Sequence, residues 1–268
     1  MIKNQNIYYI LILTIFSLCL TIFYGHKGVW PIDSFIIFNG GYNIINGFHP
    51  FKDYWSITGP LLDYLQYLFF LIGKLNWFSY VMHAAFINVM LCLFSFYFFL
   101  KFGLDKKFSF LYSSGIAVLG YTQVGTPFMD YHAFIFSYFS IGFLLLGVKT
   151  KKNKYWFLSS CILIFSFFSK QIPSSYFLIF IILFLIIYFV LFKNYFKNIL
   201  YFLYGGILVS LLFCILLFLN EIPFKNFYVQ YILYPMTLGA ERSELLNLNL
   251  KNTIFQFKFI FLGIAPFI

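Results

Sequence analysis

The chain has 268 residues, of which 62% are hydrophobic and 10% charged, and its formal net charge is +10. A composition this apolar excludes a soluble monomer and indicates an integral membrane protein. The positive charge does not predict nucleic acid binding, because the lysines form short clusters between apolar runs, as they do where they orient a membrane protein.

The first apolar run, Ile7–Tyr24, predicts a retained membrane anchor, because no small-residue cleavage site follows it. Later runs are continuous rather than alternating, which indicates helices, since the backbone in a bilayer must satisfy its own hydrogen bonds. Two of these runs are long enough to cross twice, so about seven spans are expected. The later runs are Phe78–Leu100, Phe108–Val148, Tyr155–Phe192 and Ile199–Leu219. The sequence therefore predicts an all-α, polytopic transmembrane helical bundle forming a single module over residues 1–268. Thr253 begins what resembles another span, and further spans or a domain are expected beyond Ile268.

Four cysteines lie inside apolar segments without metal-ligand spacing and predict neither disulfides nor a zinc site.

The lysine clusters define a topology. Placing Lys101, Lys106 and Lys107, the cluster from Lys149 to Lys154, and Lys193 with Lys197 in the cytoplasm leaves residues 25–77 outside as the first extracytoplasmic loop. Seven of the eight acidic residues then also lie outside, and Asp105 is the exception. Because Asp and Glu contribute little to orientation, this clustering is a separate signal, and it indicates that the outer face carries the chemistry.

Within the first loop, two short helices are expected at the membrane interface. Ser34–Ile45 has apolar residues at helical spacing, with Ser34 or Asp33 as its N-cap. Leu61–Gly73 is apolar but short and includes Asp63 and Gln66, so it is predicted to lie along the surface. A true span at Leu61–Gly73 is the alternative.

Several polar residues of the outer face are candidates for chemistry. Asp33 is either a helix cap or a carboxylate available as a general base. Asp130 and His132 lie in a turn between spans, where they are either merely solvated or catalytic. Lys170 lies at the end of an apolar helix, where it either snorkels to the interface or binds a lipid phosphate, followed by Gln171. His49, Asp53 and Trp55 complete the set of substrate-binding candidates, and Trp30, Tyr54 and Trp55 offer aromatic faces to a sugar. A lone Asp33 is a poor metal site, so neither a metal nor another cofactor is expected.

The order of these motifs resembles a known family. His49-Pro-Phe-Lys-Asp-Tyr-Trp55 and Thr58-Gly-Pro60 follow the first span, and Met129-Asp-Tyr-His132 and Ser169-Lys-Gln-Ile-Pro173 come later. Over roughly residues 7–192 this pattern is similar to the polytopic GT-C glycosyltransferases, in the branch of the protein O-mannosyltransferases and the lipid A aminoarabinose transferases.

The resemblance implies an enzyme that transfers a sugar from a polyprenyl-phosphate donor to a lipid, glycan or protein acceptor. It also implies an integral protein of the bacterial inner membrane, in contact with membrane lipids, with the active site on the extracytoplasmic side. Asp33 matches the acidic residue that activates the acceptor, Asp130 the acidic residue of the later loop, and Lys170 a basic residue near the donor phosphate. Many relatives carry an acidic pair in the first loop, whereas Ser34 follows Asp33 here.

Two other classes remain open from the residues. A lipid or sugar transporter, such as a flippase, also gathers charges, but it places ionisable residues deep within its spans and often has internal repeats. A non-catalytic membrane subunit does not account for the outer carboxylates. The nearly charge-free spans favour an enzyme acting at the membrane surface.

Overall fold

The computed structural model describes residues 4–28, 33–121, 124–191 and 196–244, with the single positions 251, 254, 255, 257, 258 and 262. Throughout these residues the regular elements are helices, which confirms the all-α prediction. Trp30, Lys193 and Thr253 lie outside the described residues.

Eleven α-helices are assigned within the described residues. They are α1 (Asn4–Gly25), α2 (Ile36–Ile45), α3 (Pro60–Gly73), α4 (Trp77–Phe102), α5 (Lys106–Leu119), α6 (Met129–Thr150), α7 (Asn153–Ser169), α8 (Gln171–Leu191), α9 (Phe196–Leu219), α10 (Phe224–Phe227) and α11 (Tyr234–Glu244). A 3₁₀ turn at Asp33–Phe35 precedes α2, and a π-helical segment, Tyr228–Leu233, joins α10 to α11.

The chain is an integral membrane protein. Among the described residues, five helices are long and apolar enough to cross a membrane: α1, α4, α6, α8 and α9. Two shorter helices, α5 with 14 residues and α7 with 17, run between them. At 1.5 Å per residue α7 is roughly 25 Å long, close to the thickness of a hydrocarbon core.

The helices alternate in direction, so the polar connections gather at two ends. One end carries Asp63, Asp130 and Glu221 and is called the acidic end below. At the opposite end α5 begins beside the end of α4, and Lys149, near the end of α6, lies over the ring of Phe102.

The centre of the bundle is α7, which packs against α6 on one side and α9 on the other. Small hydroxyl side chains join α6 to α7. The Ser137 and Ser166 hydroxyls are 2.7 Å apart, and Ser140 and Ser159 exchange hydrogen bonds with each other's backbone carbonyls. Such pairs let helices approach closely in a membrane, where apolar contacts alone provide little specificity.

Helix α3 lies across the acidic end and does not cross the bundle. At its start, the Gly59 amide donates to the Ser169 carbonyl at the end of α7. At its finish, the Ser79 hydroxyl in the first turn of α4 donates to the Gly73 carbonyl. Both partners belong to the acidic end, so the two ends of α3 lie there.

Helix α2 packs on α3 through two glycines. A Cβ at Gly40 would overlap the Asp63 carboxylate, and one at Gly41 would press on the Gln66 side chain. The predicted amphipathic helix is therefore present, but the predicted cap is wrong. The N-cap of α2 is Phe35 and has no side-chain cap hydrogen bond, because the 3₁₀ turn from Asp33 delays the α-helix.

Candidate functional site at the acidic end

The most direct contact between predicted site residues is an ion pair. Lys170 Nζ lies 2.7 Å from Asp130 Oδ2, although the two residues are 40 positions apart in the chain. Asp130 stands in the first turn of α6, and Lys170 is the C-cap residue that follows α7. Their side chains are 44% and 31% exposed, so both charges remain accessible from outside the protein.

The turn that carries Lys170 is held by its neighbour. Gln171 Nε2 donates to the Ile57 carbonyl at 3.1 Å and to the Tyr231 carbonyl at 2.7 Å. The first of these carbonyls belongs to the long loop before α3 and the second to the π-helical segment. Gln171 therefore joins three parts of the acidic end and fixes the position from which Lys170 extends.

The loop before α3 is folded around His49 and Asp53. The Asp53 carboxylate accepts from the His49 backbone amide at 2.7 Å, and the His49 ring nitrogen Nδ1 lies 3.1 Å from the Tyr64 hydroxyl of α3. Burial lowers the pKa of the His49 imidazole, with Asp53 raising it and Lys52 lowering it further. Tyr64 thus places the His49 ring, and burial favours its neutral form.

The same loop is anchored by a buried phenylalanine. Phe51 is fully buried and has a φ of +68°, a left-handed conformation that costs energy for a side chain of this size. Asn226 Nδ2 donates to the Phe51 carbonyl at 2.9 Å. Nearby, Lys52 pairs with Glu221 at 3.3 Å. These contacts fasten the His49–Asp53 turn to the segment after α9.

Beneath the loop lies a buried carboxyl group. Asp63 of α3 is 2% exposed, and the Tyr54 hydroxyl donates to its Oδ2 at 2.8 Å. Burial raises the pKa of the Asp63 carboxyl to about 7, while the hydrogen bond from Tyr54 lowers it. Burial also raises the pKa of the Tyr54 hydroxyl, with Asp63 adding to that rise. Asp63 therefore changes charge near neutral pH.

His132 faces the interior, in contrast to Asp130 two residues earlier. It is fully buried, and its Nε2 lies 3.1 Å from Nε2 of His83 in α4. Its Nδ1 contacts the Tyr121 hydroxyl. His83 continues the chain through Nδ1, which lies 2.9 Å from Gln66 Oε1. His132 is thus reached from outside only through other side chains.

Asp33 and Trp55 stand apart from the ion pair. Asp33 is exposed at the start of the 3₁₀ turn, and no ion pair or hydrogen bond joins it to the described residues. Trp55 is 59% exposed, and its ring meets the Tyr234 ring edge-on at 5.4 Å. Each offers a free surface to a ligand, one anionic and one aromatic.

An apolar groove opens next to these polar groups. Its volume is about 150 Å³, and it lies between α3, α7 and α9. Leu61 and Tyr64 of α3, Phe165 and Phe168 of α7, and Phe213 of α9 line it with other apolar side chains. Tyr64 also contacts His49, and Phe168 precedes Lys170 by two residues. The groove therefore reaches from the membrane-embedded helices to the acidic end.

Sequence reasoning did not assign a role to Tyr64, His83, Tyr121 or Gln66, and it noted Asp63 only as a polar residue of a short helix. One sequence signal was available for Asp63 and Gln66, because they are three positions apart in an apolar helix and must share a face. Nothing local to the sequence pairs His83 with His132. Within the described residues no group of three or more His, Cys, Asp or Glu side chains is arranged to hold a metal ion.

Comparison with known proteins gives no relative for this chain: no family model matches, and neither a curated protein nor a solved structure is similar to it.

Proposed function

We propose that the chain is a membrane glycosyltransferase, which moves a sugar from a polyprenyl-phosphate donor to a lipid, glycan or protein acceptor. In this proposal the acidic end faces the extracytoplasmic side of the bacterial inner membrane. The observation that carries it is the Asp130–Lys170 pair, a cation held at the rim of an apolar bundle and still 31% exposed. This is the charge that a lipid phosphate needs where its tail remains in the membrane.

The donor would bind in two parts. Its phosphate takes Lys170 as counter-ion, and its isoprenoid chain takes the groove that Phe165 and Phe168 line. Asp130 keeps the ammonium in place before the donor arrives, because an unpaired lysine at this position would sample many rotamers. Gln171 acts through the same turn by fixing its backbone.

Asp33 is proposed as the general base. Its carboxylate is exposed and has no partner among the described residues, so it is free to accept a proton from an acceptor hydroxyl or amine. As that proton leaves, the acceptor atom bonds to the anomeric carbon, and the bond from this carbon to the phosphate oxygen breaks. The phosphate departs with the electron pair and is stabilised by Lys170.

The remaining candidates would bind the sugar and the acceptor. Trp55 presents an exposed ring on which a sugar face can stack, and Tyr234 supports that ring. His49 and Asp53 form the adjoining polar edge, and Tyr64 holds the His49 ring. His132 lies too deep to touch a donor, so it would act only through other side chains.

The proposal is tested by reconstituting the protein in vesicles with a polyprenyl-phosphate donor labelled in its sugar. Transfer of label to an added lipid, glycan or peptide acceptor is the expected result. Lys170→Met should abolish most of it, whereas Lys52→Met is the matched control, because Lys52 is also paired, is 33% exposed and lies at the same end. Absence of transfer to every acceptor class, with the protein folded, would overturn the proposal.

Translocation of a lipid or a sugar is a second candidate, favoured by one observation. His83 and His132 are ionisable groups buried within α4 and α6, and transporters commonly place such groups inside their spans. The same vesicles distinguish the two functions. Label that appears on the opposite side of the bilayer, still attached to the donor lipid, indicates translocation.

A further inference from the structure

A continuous chain of buried polar side chains connects three helices below the acidic end. Gln66 of α3 contacts His83 of α4 at 2.9 Å, and His83 contacts His132 of α6 at 3.1 Å through the two Nε2 atoms. His132 then contacts the Tyr121 hydroxyl. All four residues are 0% exposed, so this chain of side chains is shielded from bulk solvent.

Geometry determines how many protons the two histidine rings share. A contact between two Nε2 atoms at 3.1 Å holds one proton, because two N–H groups would repel and two lone pairs would not bind. Neither ring contacts a carboxylate, and a charged imidazolium is costly in an apolar interior. Both rings are therefore neutral, and only one of them carries its proton on Nε2.

It follows that His83 and His132 have opposite tautomers. If the Gln66 carbonyl faces His83, then His83 is protonated on Nδ1, and His132 donates from Nε2 and accepts from Tyr121. If the Gln66 amide nitrogen faces His83, both assignments reverse, and His132 donates from Nδ1 to the Phe128 carbonyl at 3.2 Å. The rule of opposite tautomers holds for either orientation.

The chain also holds the start of α6. Its N-cap, Phe128, has no side-chain cap hydrogen bond. The Tyr121 hydroxyl accepts from the Phe128 amide at 3.4 Å and lies 3.1 Å from the Phe128 carbonyl, and His132 Nδ1 lies 3.2 Å from the same carbonyl. Asp130 belongs to this turn, so its position depends on the contacts that secure it.

We infer that His83 and His132 are positioning residues: a neutral pair of opposite tautomers that ties the first turn of α6 to α4 and α3, and so holds Asp130 beside Lys170. As a role in catalysis this inference rests on the proposed function. As a role in placing the ion pair it stands on the contacts alone. The two roles are separated by measurements that need no transfer activity.

The tautomers are read by nitrogen-15 NMR of histidine-labelled protein in nanodiscs. The protein has four histidines, and the His83→Gln and His132→Gln variants identify the NMR signals of two of them. One of the pair should show a protonated Nδ1 and the other a protonated Nε2. Two like tautomers, or a charged ring near pH 7, would overturn the inference.

Positioning is read by the reactivity of Lys170 toward an amine-acylating reagent, followed by mass spectrometry. In the wild-type protein the ion pair protects the ammonium. In His83→Phe, labelling of Lys170 should rise toward the rate seen in Asp130→Asn, and His83→Gln, which keeps a polar group near Nε2, should restore part of the protection. Lys107, exposed at the opposite end, is the internal reference. If Lys170 in folded His83→Phe and His132→Gln keeps its wild-type rate, the pair does not position Asp130. If His83→Phe fails to fold, His132→Gln decides the question alone.

Discussion

The acidic end contains two layers of polar side chains that differ in exposure and in their contacts. The surface layer consists of Asp33, Asp130 and Lys170, which are exposed or half-exposed. The buried layer consists of Asp63, Gln66, His83 and His132, each at most 2% exposed. Asp130 and His132 are two residues apart in α6, yet they belong to different layers because a helix turns by about 200° over that spacing.

Because the two layers differ in exposure, we expect substitutions in them to have different consequences. A half-exposed ion pair contributes about 0.2–1 kcal/mol to stability, so the surface layer is inexpensive to alter and available to ligands. A buried polar group left without its partner costs about 1–3 kcal/mol. We therefore expect the surface layer to control turnover and donor binding, and the buried layer to control stability and geometry.

The largest expected effect is on turnover at Asp33. Asp33→Asn keeps the size of the side chain and removes the base, so turnover in vesicles should fall by about 10²–10⁴-fold. The apparent melting temperature should be unchanged, since Asp33 has no described partner to lose.

Asp105→Asn is the matched control for Asp33→Asn. Asp105 caps α5 at the opposite end by accepting from the Lys107 amide, and Asn caps nearly as well. Near-normal turnover in Asp33→Asn would leave this carboxylate without a role in the reaction.

The second effect is on donor binding at Lys170. Lys170→Met keeps an apolar stem of similar reach and removes the charge, so affinity for the donor lipid should fall about ten- to a hundred-fold, as expected for a contact of about 1.5–3 kcal/mol. Lys170→Arg should keep part of the affinity, because the charge stays while the geometry changes. Binding is measured for both variants in the same nanodiscs.

Lys52→Met is the control for donor binding, since Lys52 is paired with Glu221 and equally exposed. Two outcomes would remove the surface layer from donor recognition. One is unchanged binding by Lys170→Met, which would leave snorkelling as the role of Lys170. The other is equal losses in the two Met variants, which would indicate a nonspecific effect of positive charge.

A third substitution tests the packing that buries Asp63. Gly40→Ala places a methyl group against the Asp63 carboxylate, and overpacking of this kind typically costs about 1–3 kcal/mol. Gly115→Ala is the matched control, because Gly115 is also helical and has open space around it. Thermal unfolding in detergent should therefore show a lower melting temperature for Gly40→Ala only. Equal stability of the two variants would mean that α2 does not confine Asp63.

The two layers also differ in how far the sequence could predict them. Lysine clusters and apolar runs determine the order and direction of the helices, so the turns that carry Asp130 and Lys170 could be placed at one end before their contact was known. Their pairing follows from the neighbouring positions of α6 and α7. The N-cap of α2 was predicted wrongly because Asp33 and Ser34 both suit a cap, whereas in the structure both belong to a 3₁₀ turn.

The buried layer could not be predicted in the same way. His83 lies in α4, a largely apolar helix of 26 residues, and a polar residue there gives no indication of its partner. The contact with His132 depends on the rotation of α4 and α6 about their axes, which is set by side-chain packing along both helices. Only Asp63 and Gln66 gave a local signal, through their spacing on α3.

The fourth expected effect is the pH dependence of stability at Asp63. Helix α3 lies outside the membrane-crossing helices, and burial raises the Asp63 pKa from its ordinary value of 3.8 to about 7. Between these values the folded protein binds more protons than the unfolded chain, so this group makes stability fall as pH rises through that window, with no further change above it. His49 has the opposite sign: its lowered pKa means that the unfolded chain binds more protons, so its contribution to stability is lost as pH falls below 6.5.

Asp63→Asn separates the Asp63 contribution from all others, because Asn stays neutral and still accepts from the Tyr54 hydroxyl. The difference in apparent melting temperature, Asp63→Asn minus wild type, should increase from pH 5 to pH 8, while His49 and the remaining groups cancel in the subtraction. About 2–4 °C is expected for each kcal/mol in a chain of this size. Gln66→Glu is the reciprocal variant: it introduces a carboxyl group one turn along the same buried face, so stability should fall more at pH 8 than at pH 5. A difference between Asp63→Asn and wild type that is flat with pH would show that Asp63 is charged throughout. The buried layer would then contain an ionised carboxylate at pH 5 as well as at pH 8, and burial would not determine the charge of Asp63.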